Sequence, residues 1–184
     1  MAEWVIDTNI LIVATTAQLG HPPEIMLRKG NKVPVEAAED LEAVFSWLEA
    51  INRDKEALIV LDQPYGLIEE EYSHNIKKHE YGRMVIANKL SQGLYRRVDV
   101  EVDNDGIATI LHDAAEKNPN IVKDPADRRM VAAAVEAGAP IANACDTDWL
   151  DLLADGTLET LGIRVHHVIE KWCRDTWERK RAKP

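Results

Sequence analysis

Residues 3 to 14, EWVIDTNILIVA, form an apolar run interrupted by Asp7, Thr8 and Asn9. A carboxylate inside such a run is costly unless it is paired, hydrogen-bonded or bound to a cation, so Asp7 needs partners from elsewhere in the chain. Three further stretches offer them. In DQPYGLIEEEYSHNI, Glu71 lies four residues after Leu67 and three after Ile68, on the apolar stripe of a helix, while Glu69 and Glu70 are rotated away. In KDPADRRMVAAAVEAGAP, Asp127 stands three, four and seven residues before Met130, Val131 and Ala134, again on the apolar stripe, with Arg128 and Arg129 beside it. In PIANACDTDWL, Asp146 and Asp148 follow a short apolar segment. Asp148 reads equally well as a ligand and as the cap of the helix that Trp149 and Leu150 begin. Asp62 ahead of Pro64, and Asp124 ahead of Pro125, have the pattern of helix caps or turns.

Like charges gathered in one place do not all stay ionised unless something positive is bound. Oxygen ligands with little histidine or thiol select hard divalent ions, Mg²⁺ or Mn²⁺. Carboxylate-held ions of this kind suit phosphodiester hydrolysis, because they lower the pKa of an attacking water and stabilise charge on the leaving oxygen. His74 and His79 are five apart, off a common helix face, and His166 and His167 are adjacent, so no histidine pair suits zinc. EVDNDG at 101 to 106 has the alternating oxygens of a calcium loop but His112 at its twelfth position, so it reads as a turn.

The elements that must position these acids alternate along the chain. Apolar runs at 3 to 6, 57 to 61, 140 to 143 and 162 to 165 read as strands. Helical patterns cover about 36 to 53, 64 to 78, 80 to 92, 106 to 118, 126 to 138, 147 to 154 and 168 to 180. This alternation predicts a parallel sheet covered by helices, with Asp7 at the C-terminal edge of its strand, where open α/β sheets place ligands. Residues 20 to 34, with three prolines and two glycines, read as a long loop within one domain spanning 1 to 184, and a helical extension begins at about 168.

Composition narrows the classes. A 184-residue chain with 46% apolar and 29% charged residues is globular. Its two cysteines, Cys145 and Cys173, make no disulfide framework. With neither a signal-like start nor an apolar run long enough to span a bilayer, the expected location is the cytoplasm, away from membranes. A formal charge of −10 argues against a protein that coats nucleic acid through lysine and arginine. The C-terminal stretch 164 to 184 is the exception, with seven Lys and Arg against three acids, and reads as a solvated helix face with a basic tail.

The order V-I-D-T-N-I-L-I, Glu71-Tyr72 in a helix, D-R-R-M-V-A-A-A-V-E-A-G-A-P, and D-T-D-W-L resembles the PIN domain family of metal-dependent ribonucleases over residues 3 to about 167. The resemblance implies a three-layer α/β/α fold with a central parallel sheet of four or five strands. It implies one or two Mg²⁺ or Mn²⁺ ions held by Asp7, Glu71, Asp127 and Asp146, with Asp148 as a further candidate and Glu70 as the alternative to Glu71. A metal-activated water would then cleave RNA, leaving 5′-phosphate and 3′-hydroxyl ends. Thr8 and Asn9 match the polar residues that orient the acids. Cations at Arg128 and Arg129 would meet substrate phosphates. Many small members are toxins paired with antitoxin proteins, and the domain often dimerises, so an antitoxin or other protein partner and a homodimer are expected alongside RNA.

The chain departs from the family pattern at Ala144, where a Ser or Thr commonly stands two residues before the fourth acid. Asn143 is the available substitute. Haloacid-dehalogenase phosphatases also open with an Asp after a first strand, but need a second Asp two residues on, where this chain has Asn9. Cys145 lacks an obvious base. The competing function is a PIN-like module that binds RNA or assembles with protein without catalysis.

Overall fold

The computed structural model describes residues 2–102, Leu111, Val122 and 124–182. Five strands, β1 (Glu3–Ile6), β2 (Leu58–Gln63), β3 (Tyr95–Asp99), β4 (Ile141–Asn143) and β5 (Val165–His167), form one parallel sheet in the order β3-β2-β1-β4-β5. The chain adds strands on one side of β1 and then crosses to the other. Its topological switch therefore lies between β1 and β4, the place where open α/β sheets form a crevice at their C-terminal edge. Register there pairs Val5 with Ile141 and Ile6 with Ala142, and the Asp7 N–H donates to the Ala142 carbonyl at 2.9 Å.

Helices cover both faces, giving the three-layer α/β/α fold. α1 (Thr8–Leu19), α3 (Ala38–Arg53) and α5 (Tyr81–Ser91) pack on one another, while α6 (Pro125–Ala137) lies across β1 to β4. α4 (Leu67–Asn75) touches β2, α1 and α6. α7 (Asp148–Ala154), the short α8 (Thr157–Thr160) and α9 (Glu170–Arg181) follow β4 and β5. The central strands are buried on both sides, as in β4, where all of Ile141–Asn143 is buried. Tight packing has one clear consequence at Gly82 on α5: a Cβ there would stand 2.6 Å from the Leu11 carbonyl oxygen of α1. No helix among the described residues is long and apolar enough to cross a membrane.

Several expectations need correction. α1 has no counterpart in the sequence reading, because Ile10, Leu11, Val13, Ala14, Thr15 and Thr16 are all buried and a helix wrapped by neighbours has no polar face to set a period. β3 is likewise absent from it: its sequence is YRRVD and only Val98 is buried, as suits an edge strand. β5 falls at Val165–His167 rather than 162 to 165, and the stretch 20 to 34 contains a helical turn, α2 (Glu24–Arg28). α4 starts at Leu67, not 64. Asp62 still caps it, reaching from the end of β2 to accept the N–H groups of Leu67 and Ile68, each at 2.8 Å. The helix expected at 106 to 118, and most of the turn at 101 to 106, lie outside the described residues.

Candidate functional site

The end of β1 turns directly into α1, and Asp7 is the residue between them. Its Oδ1 accepts the Asn9 N–H at 3.1 Å, which caps α1. Its Oδ2 accepts the Trp149 indole N–H at 2.7 Å. Asp146 leaves β4 in the equivalent way. Its Oδ1 accepts the Asp148 N–H at 2.8 Å, while its own N–H and carbonyl are held by the Asn143 amide at 3.0 and 2.8 Å. Asp127 comes from the first turn of α6, which crosses the sheet over these strands, and is buried.

These three acids meet. One carboxylate oxygen each from Asp7, Asp127 and Asp146 lies within 4.8 Å of the others. Burial raises all three pKa values: Asp7 from 3.8 to about 7, with Asp146 adding repulsion, and Asp127 from 3.8 to about 8, with Asp7 and Asp146 adding repulsion. Burial is also the first cause for Asp146. The donor set is wholly oxygen, which fits Mg²⁺ or Mn²⁺. Among nearby softer groups, burial pushes the Cys145 thiol far up and so keeps it protonated.

Glu71 stands beside this trio rather than in it. Its Oε1 accepts the Thr8 hydroxyl at 2.5 Å, and its Oε2 is buried with no hydrogen-bond partner among the described residues. Burial raises its pKa, opposed by the Thr8 hydrogen bond and by Arg129. Its neighbours go elsewhere, since Glu69 pairs with Arg97 at 2.6 Å and Glu70 is exposed. Asn9 holds the other side of the site, its Oδ1 accepting the N–H groups of Ala144 at 2.7 Å and Cys145 at 3.3 Å. Thr8 thus fastens Glu71, and Asn9 fastens the segment that carries Asp146.

Asp148 is exposed on α7 and lines a cleft of about 580 Å³ together with Asp124, Asp127, Asp151 and Arg181. The structure keeps it outside the close trio. Arg128 spends its Nε on the Val122 carbonyl at 2.7 Å, and Arg129, half-buried, is near enough to Glu71 to affect its ionisation. Asn143 does not reach the acids as a substitute for a Ser or Thr at 144. Its side chain is committed to the Asp146 backbone and to His167, 2.8 Å from Nδ1.

Two features escape the sequence reading. Trp149 reads as an ordinary core residue because nothing in its spacing shows that its N–H faces a carboxylate. The basic end of α9, read as solvated, docks on the site's flank: Lys180 Nζ lies 2.6 Å from Thr147 Oγ1, Trp177 Nε1 donates to Asp151 at 2.8 Å, and Arg181 approaches Asp151 at 3.6 Å. Lys180 also opposes the rise in the Asp146 pKa. Comparisons of the chain with protein-family models, with curated proteins and with solved structures give no match.

Proposed function

We propose that the chain is a Mg²⁺- or Mn²⁺-dependent endoribonuclease of the PIN type. The observation that carries this reading is the convergence of Asp7, Asp127 and Asp146, from three separate segments, within 4.8 Å at the C-terminal edge of the sheet. Three acids with raised pKa values gain most from a divalent cation, and a scaffold has no use for their repulsion. The choice of RNA rests on the order of motifs that resembles the PIN family, and a protein partner of the antitoxin kind and a homodimer belong to the same reading.

In this proposal Asp7, Asp127 and Asp146 hold the cation, with Asp148 at the mouth of the cleft. When bound, the ion supplies Lewis acidity to an attacking water and to the leaving oxygen. Glu71 offers Oε2 as an acceptor for a water proton while Thr8 fixes its other oxygen. Asn9 keeps the 144–145 backbone in place, and so sets where Asp146 stands.

The test is incubation of the full chain with RNA of mixed sequence, in Mn²⁺ and in EDTA, with Asp127→Asn as control. Fragments with 5′-phosphate and 3′-hydroxyl ends, formed only by the wild type with Mn²⁺, are expected. Retention of RNA without cleavage would transfer the protein to the class of non-catalytic binding modules.

A further inference from the structure

We propose that Trp149 is a positioning residue of the acid cluster, and that the first turn of α7 clamps Asp7 and Asp146 at the separation a divalent cation requires. This inference rests on the metal reading above and adds to it the group that sets the geometry. Two consecutive residues of α7 act on two different carboxylates. The backbone N–H of Asp148 is donated to Asp146 Oδ1 at 2.8 Å, and the indole N–H of Trp149 to Asp7 Oδ2 at 2.7 Å. Trp149 is wholly buried, at 0% exposure. An indole is a donor only, so it can bind a carboxylate oxygen but never compete for a cation.

The clamp leaves ligand capacity intact. Each carboxylate oxygen has about two lone-pair directions. Asp7 uses one on Oδ2 for Trp149 and one on Oδ1 for the Asn9 N–H at 3.1 Å, and both oxygens keep another. With both oxygens held, the carboxylate plane is fixed before any ion arrives. Of the chain's other indoles, that of Trp4 is buried without a partner among the described residues and that of Trp177 donates to the exposed Asp151, so of these three Trp149 alone reaches an acid of the trio. Groups that hydrogen-bond to ligands from behind set metal affinity, and their loss costs roughly 10- to 100-fold.

The competing role for Trp149 is packing alone, and Trp149→Phe separates the two by keeping an aromatic ring and deleting the donor. Mn²⁺ binding to the full chain, measured by calorimetry, should weaken by roughly 10- to 100-fold in this variant. Leu150→Ala, a packing change at a buried residue of the same helix that is not among those lining the cleft, should lower the melting temperature and leave the dissociation constant within about twofold. A Trp149→Phe protein that binds Mn²⁺ as tightly as wild type overturns the proposal.

A second measurement uses the wild type. The indole resonance of Trp149, assigned by elimination with Phe variants of Trp4, Trp47, Trp172 and Trp177, should shift during Mg²⁺ titration with the midpoint of binding. An unmoved resonance overturns the proposal even if Trp149→Phe does not fold. Wild-type protein that shows no saturable Mn²⁺ binding would sink the metal reading itself, whereas equal binding by wild type and Trp149→Phe sinks the clamp alone.

Discussion

At the scale of single residues, the positions that break an apolar pattern are the informative ones. Asp7, Glu71 and Asp127 each sit where the period calls for a hydrophobic side chain, and each proves to be partly or wholly buried near the same sheet edge. Their hydrogen-bond partners are not legible, since nothing in the spacing of Thr8 and Glu71, or of Asn9 and Ala144, encodes that they meet across the fold. Glu71→Gln keeps an oxygen for the Thr8 hydroxyl and removes the charge, so it should abolish RNA cleavage with little loss of stability. Glu70→Gln, at an exposed position, should leave cleavage largely intact, and the reverse ranking in a cleavage assay would remove Glu71 from the site. Asn9→Ala strands the amides of Ala144 and Cys145, which should cost about 1–3 kcal/mol of stability in urea denaturation. An unchanged midpoint would show that the 144–145 segment is held by other means.

At the scale of elements, strands buried on both faces and amphipathic helices are readable, while a wrapped helix and a polar edge strand are not. The alternation of β2, β4 and their helices predicts a parallel sheet because central strands are continuous apolar runs. α1 hides inside an apolar stretch, and β3 hides behind two arginines. α9 is legible in position but not in role, because its basic residues look solvated until the docking of Trp177 and Lys180 onto the α7 segment is seen. On the proposed nuclease reading, that docking adds Lys180 and Arg181 to Arg128 and Arg129 as cations placed to meet a substrate. Arg128 is tied to the Val122 carbonyl and Arg129 borders Glu71, whereas Arg181 lines the cleft and Lys180 stands beside Thr147. Replacing Lys180 and Arg181 with Gln should therefore raise KM for RNA about two- to fivefold with kcat unchanged, the scale of exposed ion pairs. The dependence of binding on salt should also become shallower, by roughly 0.7 in log–log slope for each phosphate of a single strand that the variant no longer neutralises. A fall in kcat at constant KM would place these residues with the reacting groups instead.

At the scale of the whole molecule, the formal charge of −10 and the buried acid cluster make stability depend on pH and, on the proposed metal reading, on cations as well. The folded-state pKa of Asp7, about 7, and of Asp127, about 8, both lie above the ordinary value of 3.8. Between the ordinary and the raised values the folded protein therefore holds protons that the unfolded chain has released, and stability from these groups declines as pH rises through that window. Metal-free protein should accordingly lose melting temperature between pH 5 and pH 8. On the proposed metal reading, a divalent ion should reverse the balance, because it would bind the ionised acids and expel their protons. At about 100 times its Kd it should stabilise by roughly 2.7 kcal/mol, or about 5–10 °C for a chain of this size. Asp127→Asn isolates one contribution. No hydrogen bond to the Asp127 carboxylate occurs among the described residues, so the amide removes charge without stranding a donor. In EDTA at pH 8 the variant should melt at or above the wild type, its difference from wild type should shrink toward pH 5, and it should lose most of the rise with Mn²⁺. Melting curves of both proteins at the two pH values, with Mn²⁺ and with EDTA, test all three statements. A variant that melts well below wild type in EDTA at pH 8 and still gains the full metal shift would show that Asp127 stabilises the fold and holds no cation.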